Sequence, residues 1–138
     1  MKELYYLSDF QLPTIPTPHD CVIDKIEFND NFLTFFFEKD ITYHDSISVL
    51  NKNARSLIIR FHLTDDFDIF KHKVTNIFIF KSEKYVKIKN EKFLNNKKYK
   101  TEYLYHTVGY QKINVSLYQN GFVNIVINAD YVELEWIE

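Results

Sequence analysis

Apolar and polar residues alternate with a period of two along much of this chain. Leu57, Ile59, Phe61 and Leu63 point one way, and Ile58, Arg60 and His62 the other. That pattern is a half-buried strand rather than a helix. Ile113, Val115 and Leu117 alternate with Asn114, Ser116 and Tyr118, and Val123, Ile125 and Ile127 with Asn124 and Asn128. Asn120-Gly121 between them predicts a hairpin of type I′, whose two central residues need positive φ. Ala129-Asp130 breaks the phase, and Val132, Leu134 and Trp136 resume it one residue out of step.

Earlier in the chain, Cys21 to Phe28 reads as a strand with Val22, Ile26 and Phe28 in phase. Asn29-Asp30-Asn31 is a turn. Phe32 to Lys39 follows, with Leu33, Phe35 and Phe37 on one face and Phe32 and Phe36 on the other, so both faces are expected to be covered. Further strands are expected at Phe67 to Lys71, Val74 to Lys81, Tyr85 to Ile88 and Tyr99 to Thr107. Asn90 as an N-cap and Glu91 in a first turn predict one short helix near 91–97. Residues 1–18 read as a lead-in, held extended by Pro13, Pro16 and Pro18. Eight or nine short strands joined by turns make a single β domain over 1–138, mainly antiparallel, as a β-sandwich or an open barrel.

Composition supports that fold class. Of the 138 residues, 2 are Ala, 2 are Gly, and 56 are Ile, Val, Phe, Tyr, Trp or Thr. The chain lacks the best helix former and is rich in residues that fit pleated surfaces. Lys, Asn, Phe, Tyr and Ile account for 65 residues. Their codons are AT-rich, so the aromatic and lysine excess partly reflects genome composition. Two glycines argue against a Gly-rich phosphate loop, and no cofactor is expected. A chain near 150 residues buries roughly 68–70 % of its unfolded surface, enough for a core without staples. No run approaches the roughly 18 apolar residues of a membrane span. Met1 to Phe10 contains Glu3 and Asp9 and no apolar stretch, so no secretory signal is expected. A single Cys21 excludes an internal disulfide framework. These features together predict a cytoplasmic protein that does not engage membranes.

The formal charge of −2 hides a strong asymmetry. Residues 1–70 hold 6 basic and 12 acidic groups. Residues 71–100 hold 10 Lys and 2 Glu, and residues 101–138 hold Lys112 against five acids. The basic stretch suits an acidic partner. Nucleic acid is not expected, because Arg55 and Arg60, the only arginines, lie outside it. The candidate binding residues are Lys84, Lys87, Lys89, Lys97 and Lys98 with the tyrosines Tyr99, Tyr103 and Tyr105, since tyrosine combines contact area with a polar tip. The plainer reading is a solvated strand-and-helix face whose tyrosines are simply good strand residues.

His19-Asp20-Cys21 and His44-Asp45 are the candidates for chemistry. Cys21 beside a histidine has the makings of a nucleophile and base, with His19, Asp20 and His44 in support. His19, Cys21 and His44 are the right types for a metal, although no specific metal motif is present and none is assigned. The pairing is also seen in the HD phosphohydrolases, whose site lies on helices that this pattern does not offer. Otherwise the two aspartates serve backbone turns, and Cys21 is a small buried hydrophobe.

Pro18-His19-Asp20-Cys21, Ile26, the Asn29-Asp30-Asn31 turn, Leu33-Thr34-Phe35-Phe36-Phe37 and the ending Ala129 to Glu133 with Glu135-Trp136 carry a resemblance. The chain resembles small uncharacterised all-β proteins of low-GC Gram-positive bacteria, domains of unknown function. Some similar small proteins are immunity proteins of toxin systems. The resemblance implies a non-enzymatic module binding a protein partner and carries over no catalytic residue. The alternative is a small hydrolase or metal-dependent enzyme using the His/Asp/Cys cluster. A homodimer through an exposed edge is compatible with both.

Overall fold

The computed structural model describes residues 1–29, 31–64, 75–81, 83–88, 93 and 99–138. Among the described residues nine strands and one short helix form: β1 (Lys2–Tyr6), β2 (Val22–Asn29), β3 (Phe32–Phe37), α1 (Asp45–Leu50), β4 (Ser56–Leu63), β5 (Thr75–Lys81), β6 (Lys84–Ile88), β7 (Thr101–Gly109), β8 (Lys112–Tyr118) and β9 (Phe122–Ile137). No helix among the described residues is long and apolar enough to cross a membrane.

Six strands close into an antiparallel barrel in the order β4-β3-β2-β7-β8-β9, and β9 returns to pair with β4. The expected sandwich or open barrel is therefore corrected to a closed one. Closure depends on the length of β9. Its first half pairs with β8 on one edge and β5 on the other, while its second half pairs with β1 and β4. One strand thus belongs to two layers, and an antiparallel barrel leaves no edge within its wall.

The phase break at Ala129-Asp130 is where β9 changes layer. Leu63 faces Ala129 and His62 faces Tyr131, which leaves Asp130 as the extra residue of a β-bulge. Val123, Ile125, Ile127 and Ala129 point inward before it, and Val132, Leu134 and Trp136 after it, all buried. A bulge inserts one residue and raises local twist, so the core face survives the bend. Backbone hydrogen bonds tie the bulge to neighbouring loops: Leu7 N–H donates to Asp130 C=O, Gln111 N–H to Leu7 C=O, and Ala129 N–H to Gln111 C=O.

A second bulge lies between Ile23 and Lys25. It puts Ile23 inside with Ile26 opposite Phe35, so Val22 leaves the inward set expected for it. The seam between β2 and β7 is the shortest in the wall, with two register pairs, Val22 with Glu102 and Ile23 with Thr101. The lead-in extends it, because Asp20 N–H donates to Tyr103 C=O and Tyr103 N–H to Cys21 C=O.

Leu33, Phe35, Leu57, Ile59, Phe61, Ile113, Val115 and Leu117 fill the barrel. Phe35 and Phe61 meet edge to face with centroids 5.1 Å apart. The Asn120-Gly121 hairpin forms with a three-residue loop in place of the expected type I′ turn, since Tyr118 pairs with Phe122. Asn120 has φ 54° and Gly121 φ 143°.

Two elements were not expected. β1 falls in what reads as lead-in; its outward residues Leu4 and Tyr6 are the apolar ones, so periodicity points the wrong way. α1 is six residues long and sends Ile47 into the core, too short for a helical period to show. The strand expected at Phe67 to Lys71 lies outside the described residues. So does the helix expected near 91–97, apart from the buried Phe93.

Candidate functional site

The His/Asp/Cys candidates fall in two places, His19, Asp20 and Cys21 at the end of the lead-in and His44 at the N-cap of α1. His19 and Asp20 are exposed at the end of the lead-in, with Nδ1 3.0 Å from Oδ2. Asp20 takes φ 67°, and its amide is spent on Tyr103. Cys21 is fully buried, its Sγ 3.8 Å from the His19 carbonyl oxygen. A thiol enclosed by the core lacks the exposed, electropositive setting of a reactive cysteine. His44 caps α1 through its backbone, with its ring against Tyr43 at 4.1 Å. Among the described residues no three His, Cys, Asp or Glu side chains gather to hold a metal.

Tyr103 belongs to the interior, not to a binding surface. Its ring lies between Phe35 and Phe37, with centroids at 6.3 and 6.0 Å. Its Oη is 2.6 Å from His106 Nδ1, and His106 Nε2 is 3.0 Å from the Ile15 carbonyl oxygen. Carbonyls only accept, so Nε2 carries the ring proton and Nδ1 accepts from the phenol. Burial raises the Tyr103 phenol far above its ordinary range and lowers His106. The relay pins the Pro-rich lead-in to the barrel.

The outer face of the other layer carries an ion row. Arg60 Nη1 is 2.7 Å from Glu133 Oε2 and 3.1 Å from Glu135 Oε1, and Lys2 Nζ is 3.7 Å from Glu135. Beside it, His62 Nδ1 is 2.6 Å from Asp130 Oδ1, and its ring stacks on Tyr131 at 4.6 Å. The bulge creates this pair by turning Asp130 outward. Every strong partner here is satisfied within the sheet, so the row reads as structural.

The feature that stands out lies across β8, β9, β5 and β6. On their outer face, Tyr118, Phe122, Phe80 and Tyr85 form a row with exposures of 41, 50, 43 and 52 %. Tyr118 pairs with Phe122 and Phe80 with Tyr85; their rings meet at 5.6 and 5.2 Å. The β5–β9 register ends with Ile79 opposite Val123, and its next step sets Phe80 opposite Phe122. The adjacent row runs Tyr105, Ser116, Asn124, Phe78, Lys87 over five strands.

Two expected binding residues, Lys87 and Tyr105, are therefore on one face. Lys84 is exposed on the opposite side of β6 from Tyr85, and Tyr99 is exposed just before β7. Lys89, Lys97 and Lys98 lie outside the described residues. Sequence reasoning missed the row itself. Phe80 and Phe122, which join its two halves, are 42 residues apart in sequence, and only the β5–β9 pairing brings them together. Comparison with protein families, curated proteins and solved structures gave no match.

Proposed function

We propose that this protein is a non-enzymatic interaction module that binds a protein partner through the Tyr118-Phe122-Phe80-Tyr85 row. The carrying observation is four large aromatics, each about half exposed, contiguous over four neighbouring strands. Exposed apolar surface gathered in one patch marks an interaction site, whereas scattered residues do not. Aromatic rings anchor interfaces because they give a large contact area at low entropy cost. Lys87 and Tyr105 supply a polar margin. A cytoplasmic immunity-type inhibitor is one protein of this kind, in line with the sequence resemblance.

Affinity capture from the native host tests the reading, comparing wild type with a Phe80→Ser, Phe122→Ser double variant. One dominant partner is expected, weakened by about 2 kcal/mol or more in the variant, the scale of an interface anchor. Equal recovery by both proteins overturns the assignment. Far-UV circular dichroism confirms that the variant is folded.

A further inference from the structure

The sheet ends at β6. Among the described residues β5 is its only strand partner, so one line of backbone N–H and C=O groups along Lys84–Ile88 faces away from the sheet. Such an edge is a template for another strand. Residues 83–87 are all exposed, on both faces of the strand.

The side chains on β6 select what can pair there. Lys84 projects to the face of Val86, and Lys87 to the face of Tyr85. A second copy of β6 would bring four lysines to one strand pair with no carboxylate among residues 84–88 to offset them, and like charges repel. An incoming strand with carboxylates on both faces meets a lysine on each. The hairpin also sits in the chain's most basic stretch, where residues 71–100 hold 10 Lys and 2 Glu, one of them Glu83 at the turn. Beside Tyr85, an apolar side chain on the added strand would lengthen the aromatic row to a fifth strand.

We propose that β6 receives an extended acidic segment of a protein partner as an added strand, with its carboxylates paired to Lys84 and Lys87. Main-chain hydrogen bonds supply affinity and the lysines supply selectivity, as in other strand additions. The inference rests on the reading of this protein as a binding module and names the chemistry of the partner.

The probe is a labelled decapeptide with the repeat Glu-Glu-Thr-Thr, which sets acids on both faces of a strand. Its controls are Lys-Lys-Thr-Thr and Glu-Glu-Pro-Pro. The proline peptide keeps the charge but cannot form a ladder. Saturable binding of the acidic threonine peptide is expected, with slowed amide exchange at residues 84–88. A Lys84→Glu, Lys87→Glu double variant should lose about tenfold or more in affinity and turn to the lysine peptide. Equal binding of the proline and threonine peptides, absence of saturable binding, or protection away from β6 overturns strand addition. If the peptide fails while the Phe80→Ser, Phe122→Ser variant still loses its captured partner, the edge assignment falls and the binding-module reading stands. If the peptide binds and capture is insensitive to the row, the assignment of the partner site to the row falls and the edge assignment stands.

Discussion

His106 stands between Tyr103 and the lead-in: its Nδ1 accepts from the Tyr103 phenol at 2.6 Å while its Nε2 donates to Ile15. Burial favours the neutral ring, and the Ile15 carbonyl fixes its tautomer. Tyr103→Phe removes the phenol O–H and leaves Nδ1 without its donor. A loss of about 1–3 kcal/mol is expected, the cost of an unsatisfied buried acceptor, read by urea unfolding with an unchanged m-value.

The same histidine gives the protein a pH signature. Burial lowers its folded-state pKa below the ordinary value near 6.5. The unfolded chain therefore binds a proton that the folded one refuses. The contribution of His106 is complete above about pH 6.5 and is lost as pH falls through the folded-state value. Urea midpoints should decline on acidification from about pH 6.5, and His106→Gln should flatten that decline before the carboxylates titrate. Parallel curves for the two proteins would refute it.

Arg60 separates two acids on neighbouring outward positions of β9. Arg60→Met should leave Glu133 facing Glu135 with Lys2 alone beside them, at a cost of about 1–2 kcal/mol at low ionic strength. The side chains are partly solvated, so roughly half of that should vanish by about 0.5 M salt. Arg60→Lys should recover part of it, because one ammonium cannot reproduce the guanidinium fork. A salt-independent loss would assign the effect to packing.

Gly121 sits at φ 143°, with nothing within 4 Å of the position its Cβ would take. Gly121→Ala therefore meets no clash, only an unfavourable backbone. A destabilisation of about 1–3 kcal/mol is expected from thermal unfolding, without loss of the β-sheet spectrum. A neutral result would show that the loop relaxes to another turn.

Tyr43 lies on the surface, yet its phenol donates to Glu38 Oε2 at 2.8 Å and its pKa is pushed up to about 12. Glu38→Gln removes the charge that disfavours the phenolate. Spectrophotometric titration of the variant should show one additional tyrosine ionising near pH 10, the ordinary value. An unchanged titration curve would contradict the pairing.

How much was legible follows from what each signal measures. Alternation at Leu57 to Leu63 and Val123 to Ile127 reports burial of one face, and both strands stand where that pattern sets them. The phase slip at Ala129-Asp130 marks a bulge for the same reason. β1 was hidden because its outward residues are apolar, and α1 because one buried Ile47 makes no period. Tyr103 and Tyr105 look equivalent along the chain. The bulge between them in β7 sends one into the core and the other to solvent.

Local pattern thus determined most of the strands and their inward faces, since alternation depends on neighbours two residues away, and segment composition determined the charge asymmetry. Tertiary structure decided the rest. Closure of the barrel depends on β9 pairing with β4 across 66 to 81 residues of chain, and periodicity holds no information about partners. Likewise the β5–β9 pairing sets Phe80 beside Phe122. A patch on a sheet is a property of strand order, so only the folded molecule shows it.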